Sequence, residues 1–138
     1  PSQKEGKGAV FLLDSEMVGE TQPMVNIFMN KMKNEGFRKM IDRDFAKYTD
    51  NCIDNFLHGD VKSLFGNVKK LSKVVLKHFK PMIPDSFHQL WKQGIESNDY
   101  YLKLCGSGGG GYILGFTEDY QKTQKLLKDY KLELVYRF

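Results

Sequence analysis

Apolar residues recur along this chain with two periods, and the switch between them divides it into segments. Residues 8–14, GAVFLLD, form an unbroken apolar run bounded by glycine and aspartate, which predicts a buried strand. After Thr21 and Pro23, which suit a helix start, Met24, Ile27, Phe28 and Met32 return at helical spacing until Gly36. A second helix is predicted over 37–57, with Met40, Ile41, Phe45, Tyr48, Cys52, Ile53, Phe56 and Leu57 on one broad face. His58 and Gly59 stop it, and Asp60 is placed to cap the next. The third helix, 61–80, has the clearest stripe: Val61, Leu64, Phe65, Val68, Leu71, Val75 and Phe79, with Lys62, Lys69, Lys73, Lys77 and Lys80 roughly opposite. Pro81 and Pro84 mark a turn, and Phe87, Leu90, Trp91 and Ile95 make a fourth helix with an apolar, core-facing side.

From residue 100 the period falls to two. Residues 100–105 and 112–116 read as strands joined by a glycine segment. Thr117 is expected to cap a short helix with Glu118 and Asp119 in its first turn and Lys122, Lys125 and Lys128 later, a polarity that suits the helix dipole. Leu132, Leu134, Tyr136 and Phe138 alternate in a closing strand. Strand, helices, strand, strand, helix, strand is the split βαβ order. The expected fold class is therefore α+β: a ferredoxin-like, four-stranded antiparallel sheet with helices on one face and extra helices inserted after the first strand.

Composition narrows the function classes. A chain of 138 residues fits one domain, and 41 % hydrophobic with 28 % charged residues is an ordinary globular balance. No apolar run is long enough to span a membrane, and the polar start shows neither a secretion signal nor an initiator Met, as expected of a piece trimmed from a longer chain or of a chain after tag removal. Cys52 and Cys105 form no CxxC pair, which fits a reducing, cytoplasmic setting. The net charge of +4 and the lysine stripe read as a solvated face, and no nucleic-acid or membrane partner is expected. His58, His78 and His88 are scattered without metal-ligand spacing. Cys105 reads as a small buried residue because no base accompanies it in sequence.

The glycine segment carries the chemistry. In KLCGSGGGGYILGF, residues 103–116, Gly106, Gly108 and Gly111 satisfy G-x-G-x-x-G, but the motif leads into a strand rather than the helix a dinucleotide site requires. Two readings remain: a floppy hairpin loop, or a nest of backbone N–H groups facing an anion, with small residues leaving room for a phosphate.

These residues carry a resemblance. KLCGSGGGGYILGF resembles the third conserved motif of the GHMP kinases, the family of galactokinase, homoserine kinase, mevalonate kinase and phosphomevalonate kinase, whose usual form is close to K-L-T-G-A-G-G-G-G. DSEMVGETQPMV, residues 14–25, is similar without a gap to the mevalonate kinase stretch DTGVPRNTRALV, with Asp14, Thr21 and Val25 matching. Within the family the chain looks most like bacterial mevalonate kinase-like proteins. The resemblance covers nearly the whole of residues 1–138, as the carboxy-terminal half of such an enzyme.

It implies an ATP-dependent kinase for a small-molecule alcohol, mevalonate first and a sugar second, using ATP and Mg²⁺ when joined to its own amino-terminal half. The phosphate loop P-x-x-x-G-L-x-S-S and the catalytic Asp and Lys belong to that half and are absent from this sequence. The chain alone is thus expected to hold neither cofactor and to be inactive. The resemblance places Gly106, Ser107, Gly108, Gly109 and Gly110 in the active-site cleft near nucleotide and substrate, through their backbone N–H groups. A side chain at Gly108 or Gly109 is then expected to damage catalysis with little loss of stability. Thr21 either contacts substrate or simply caps its helix. Two departures stand out: Gly19 replaces the Arg of the mevalonate kinase stretch, and Cys105 the Thr before the glycines. The competing class is a stand-alone ferredoxin-like binding module for RNA or a small regulator, to which Tyr100, Tyr101 and Tyr112 lend aromatic surface. The aromatic-rich strand motif of such RNA binders is missing.

Overall fold

The structure, a computed structural model, describes residues 6–18, 21–106 and 108–138. Its strands are β1 (Ala9–Asp14), β2 (Tyr101–Leu104), β3 (Tyr112–Thr117) and β4 (Lys131–Arg137), all antiparallel in the order β2-β3-β1-β4. Between β1 and β2 come α1 (Thr21–Lys31), α2 (Glu35–Met40), α3 (Ala46–Leu57), α4 (Val61–His78) and α5 (His88–Ser97); α6 (Tyr120–Leu126) links β3 to β4. This is the ferredoxin-like α+β arrangement with extra helices after the first strand.

Helices flank both faces of the sheet, not one. Phe11 pairs with Gly115, and its ring packs 5.9 Å from that of Tyr120, placing α6 over the Phe11 face. Val10 points the other way, level with Tyr136, and there Phe56 of α3 packs edge-on against Tyr136 at 5.3 Å while Phe65 of α4 meets Phe138 at 5.8 Å. The unbroken run AVFLL reflects this: a strand covered on both sides needs apolar residues in both registers. Ala9, Phe11 and Leu13 are fully buried and Val10 nearly so.

Local chemistry explains the remaining differences. The predicted helix over 37–57 is α2 and α3 joined by a π turn (Ile41–Phe45). The extra residue per turn re-phases the stripe, so Phe45 packs at a tilt against Phe79, ring centroids 5.1 Å apart, while Ile53 and Leu57 end up exposed. Asp60 caps α4 as expected, its carboxylate accepting from the Ser63 N–H. The cap of α6 is Asp119, which accepts from the Lys122 N–H, rather than Thr117. Thr117 is instead buried, donating to the Asp99 carbonyl at 2.8 Å and sharing a 2.7 Å hydrogen bond with Thr123. In β4 the alternation breaks at a bulge: Val10 faces Tyr136 but Phe11 faces Leu134, leaving Val135 unpaired and exposed.

Helix α5 sits against the start of β2. Trp91, fully buried, donates its indole N–H to the Ser72 carbonyl in α4, and the Tyr100 hydroxyl donates to the Leu90 carbonyl at 2.7 Å. Burial, with smaller contributions from Tyr130 and Asp99, pushes the Tyr100 phenol up to about 12. An unfolded tyrosine ionises near ~10, so across about pH 10–12 the unfolded chain has lost a proton that the folded one keeps. Stability should therefore fall as pH rises through that window. Urea denaturation at about pH 9.5 and about pH 11 measures the drop, and Tyr100→Phe should make it shallower.

Candidate functional site

The glycine segment leaves β2 at Leu104 and enters β3 at Tyr112, so it is a strand-to-strand connection. No helix begins at Gly111, which removes the dinucleotide reading. The segment's described residues are tied to neighbouring segments, unlike a free hairpin loop. Gly106, Gly108, Gly109 and Gly111 have φ of 73°, 80°, 78° and 70°, the left-handed region in which a Cβ is strained. Two of their N–H groups hold the segment down: Gly109 donates to the Met82 carbonyl at 2.6 Å and Gly111 to the Met17 carbonyl at 2.8 Å. The Ser15 N–H returns a 2.9 Å bond to the Gly111 carbonyl.

These bonds join the two distant stretches that the sequence singled out. Residues 14–18 leave β1 and run beside Gly111, and α1 then brings Met24 against Gly109, where a Cβ would sit 2.8 Å from its sulfur. Thr21 is the first residue of α1, one turn before that contact. Its side chain, like Ser107 as a whole, lies outside the described residues, so the choice between cap and substrate contact rests on the sequence argument.

The described glycines from Gly106 to Gly110 sit in unequal surroundings. Gly108 and Gly110 are buried, Gly109 is half-buried and Gly106 is exposed. A Cβ on Gly108 would lie 2.6 Å from the Met82 carbonyl oxygen, whereas one on Gly106 would meet nothing within 4 Å. The middle of the run therefore packs against the turn after α4, and its Gly106 end is open. With the Gly109 donor engaged by Met82, the described glycines of the run whose N–H groups have no acceptor among the described residues are Gly106, Gly108 and Gly110.

Nearby features are simpler. Cys105 is exposed, contrary to the buried role expected of it, because β2 ends one residue earlier. Cys52 is half-buried, and burial raises its thiol to about 11 against a smaller opposing effect of Lys103. At about pH 8, iodoacetamide should alkylate Cys105 well before Cys52, since the thiolate is the nucleophile; peptide mapping over time checks the order, and equal rates would contradict it. His58 and His88 bond to backbone carbonyls of their own neighbourhood, at Asp54 and Ile83. Tyr100 and Tyr101 are buried, leaving only Tyr112 of the three aromatics exposed. A base-stacking platform built on that trio is therefore not available, which weakens the RNA-module reading.

No family model matches the chain, and no curated protein matches it in sequence. Solved structures do. A Lin0012 protein from Listeria innocua superposes with a TM-score of 0.74 at 15 % identity, over 97 % of this chain and 42 % of that one. The Streptococcus pneumoniae phosphomevalonate kinase in complex with phosphomevalonate and AMPPNP gives 0.70 at 16 % identity, over 96 % and 41 %. A second structure of that kinase gives 0.67 at 17 %, over 93 % and 41 %. The chain has the fold of part of a kinase and spans about two fifths of the length of these neighbours. Among the described residues no helix is long and apolar enough to cross a membrane.

Proposed function

We propose that this chain is the carboxy-terminal domain of an ATP-dependent GHMP-type kinase whose acceptor is the hydroxyl of mevalonate or the phosphate of phosphomevalonate. The observation that carries the reading is the pinned glycine segment, hydrogen-bonded to residues 15–17 and packed on α1. Two stretches that resemble family motifs are thereby held against each other. The fold shared with phosphomevalonate kinase supports it. A sugar acceptor is the second choice within the same class.

On this reading the loop positions phosphate rather than reacting with it. Phosphoryl transfer depends on placing and neutralising the phosphate oxygens. The exposed N–H of Gly106, with open space where a Cβ would sit, suits that task. ATP would supply the transferred phosphoryl group. Mg²⁺ would be held in the intact enzyme by the nucleotide phosphates and one or two carboxylates. The domain would act with that half, closing one wall of the cleft.

The test is to join the chain to an upstream half bearing the P-x-x-x-G-L-x-S-S loop and assay phosphoryl transfer from ATP. Mevalonate, phosphomevalonate and galactose are the acceptors. Turnover with either of the first two supports the proposal. Turnover with galactose alone replaces the acceptor, and a folded, ATP-binding protein that phosphorylates none of them overturns the assignment.

A further inference from the structure

The sheet face opposite Phe11 does not pack flush against α3 and α4. Between them is an open cavity of about 490 Å³, within the roughly 300–1,000 Å³ of small-molecule sites. Leu64 and Val68 of α4, Cys52 and Phe56 of α3, and Leu114 and Phe116 of β3 form its apolar walls. Ile53 and Leu57, both more than half exposed, stand at its rim. None of the glycine segment lines it.

Beside the Tyr136 side chain, Lys103 and Thr49 bring polar groups to this surface. The Lys103 ammonium is the one charged group among the described lining residues. Among the described residues it makes one long hydrogen bond, 3.4 Å, to the neighbouring Leu104 carbonyl, and none of their ion pairs includes it. The Thr49 hydroxyl oxygen is buried with no hydrogen-bond partner among the described residues. A cation partly withdrawn from water beside an apolar wall is unfavourable without a counter-charge, and an unpaired buried hydroxyl is costly as well. A ligand with an aliphatic body and an acidic head would relieve both the apolar exposure and the charge.

We propose that this cavity is a binding site for a small anionic amphiphile, its hydrocarbon chain between α3, α4 and the sheet and its acidic head on Lys103. The concave shape favours a small molecule over a flat protein partner, and the lone ammonium selects an anion. The site does not rest on the kinase reading: it takes Lys103, Leu114 and Phe116 from the strands that flank the glycine segment but none of the glycines, and it needs no phosphoryl transfer.

The probe is dodecanoate, titrated into the 138-residue chain below its micelle concentration and followed by NMR shifts of the Leu64, Val68 and Leu114 methyl groups. Dodecyl phosphate tests the other acidic head, and dodecanol and dodecyltrimethylammonium test the neutral and cationic ones. Saturable binding of one anionic amphiphile per chain is expected. Lys103→Met should weaken it by about tenfold or more while leaving dodecanol binding intact. Ile53→Trp, a change at an exposed rim that leaves the core alone, should block both. The proposal is overturned if the cationic amphiphile binds as well as the anionic ones, if Lys103→Met changes nothing, or if the methyl groups do not shift.

Discussion

A valine at Gly115 is expected to bring the domain close to unfolding. Gly115 lies in the middle of β3, directly opposite Phe11 on β1, and a Cβ there would fall 2.2 Å from the Phe11 ring. The ring has nowhere to go: Phe11 is fully buried, with Tyr120 of α6 near it. Overpacking of this kind costs about 1–3 kcal/mol when neighbours can adjust, and more when they cannot. Expelling the ring would cost on the order of 3–5 kcal/mol, the usual effect of Phe→Ala in a core. Against a total of roughly 5–15 kcal/mol, either outcome is severe. The cause can be isolated with a second change. Phe11→Leu makes room, so Gly115→Ala should cost less in that background than in the parent, giving a coupling energy of about 0.5–3 kcal/mol in urea denaturation. A Gly115→Val protein with an unchanged midpoint would mean that the ring does not cover this glycine.

Much of the architecture was written in local patterns. The strand over residues 8–14, the stripe of α4, the Asp60 cap and the strand-glycine-strand order around residues 106–111 all depend on neighbours close in sequence, and the structure has them. The misread features depend on distant partners. Thr117 and Asp119 are both competent caps two residues apart; the choice is made by Thr123 and the Asp99 carbonyl, which hold Thr117 in the interior. The bulge in β4 and the π turn after Met40 each insert one residue into a regular period, and the alternation of Leu132 to Phe138 gives no sign of it. The two-sided burial of the sheet did have a signal, the unalternating AVFLL run, whose implication is a covered second face. At the site, the glycines were conspicuous, but the group that pins them was not. A backbone carbonyl such as that of Met82 has no signature in the sequence, and it is what separates Gly108 from Gly106.

That separation gives the sharpest test of the glycine segment. In the enzyme joined to its upstream half, Gly108→Val should lower both stability and catalytic efficiency. Its Cβ would meet a backbone oxygen at 2.6 Å, with Leu104 methyl carbons at 3.1 and 3.3 Å, in a conformation already at φ 80°. A carbonyl cannot step aside as a flexible side chain can, so the turn after α4 would have to move. Loss of activity in this variant therefore does not by itself locate a phosphate. Gly109→Ala is milder, because its Cβ would press on the mobile end of Met24. Gly106→Ala is the decisive variant. Its Cβ enters open space, so the structural penalty is limited to the φ of 73°, roughly 1–2 kcal/mol. If phosphate oxygens sit at the open end of the segment, the added methyl should hold them off donors that must lie at about 2.7–3.1 Å. Efficiency should then fall by about tenfold or more, while the melting temperature drops only a few degrees. Steady-state kinetics and thermal melts on the same preparations separate the two effects. Gly106→Ala with full activity, beside a Gly108→Val that melts early, would mean that the glycines serve the turn alone and that phosphate is held elsewhere.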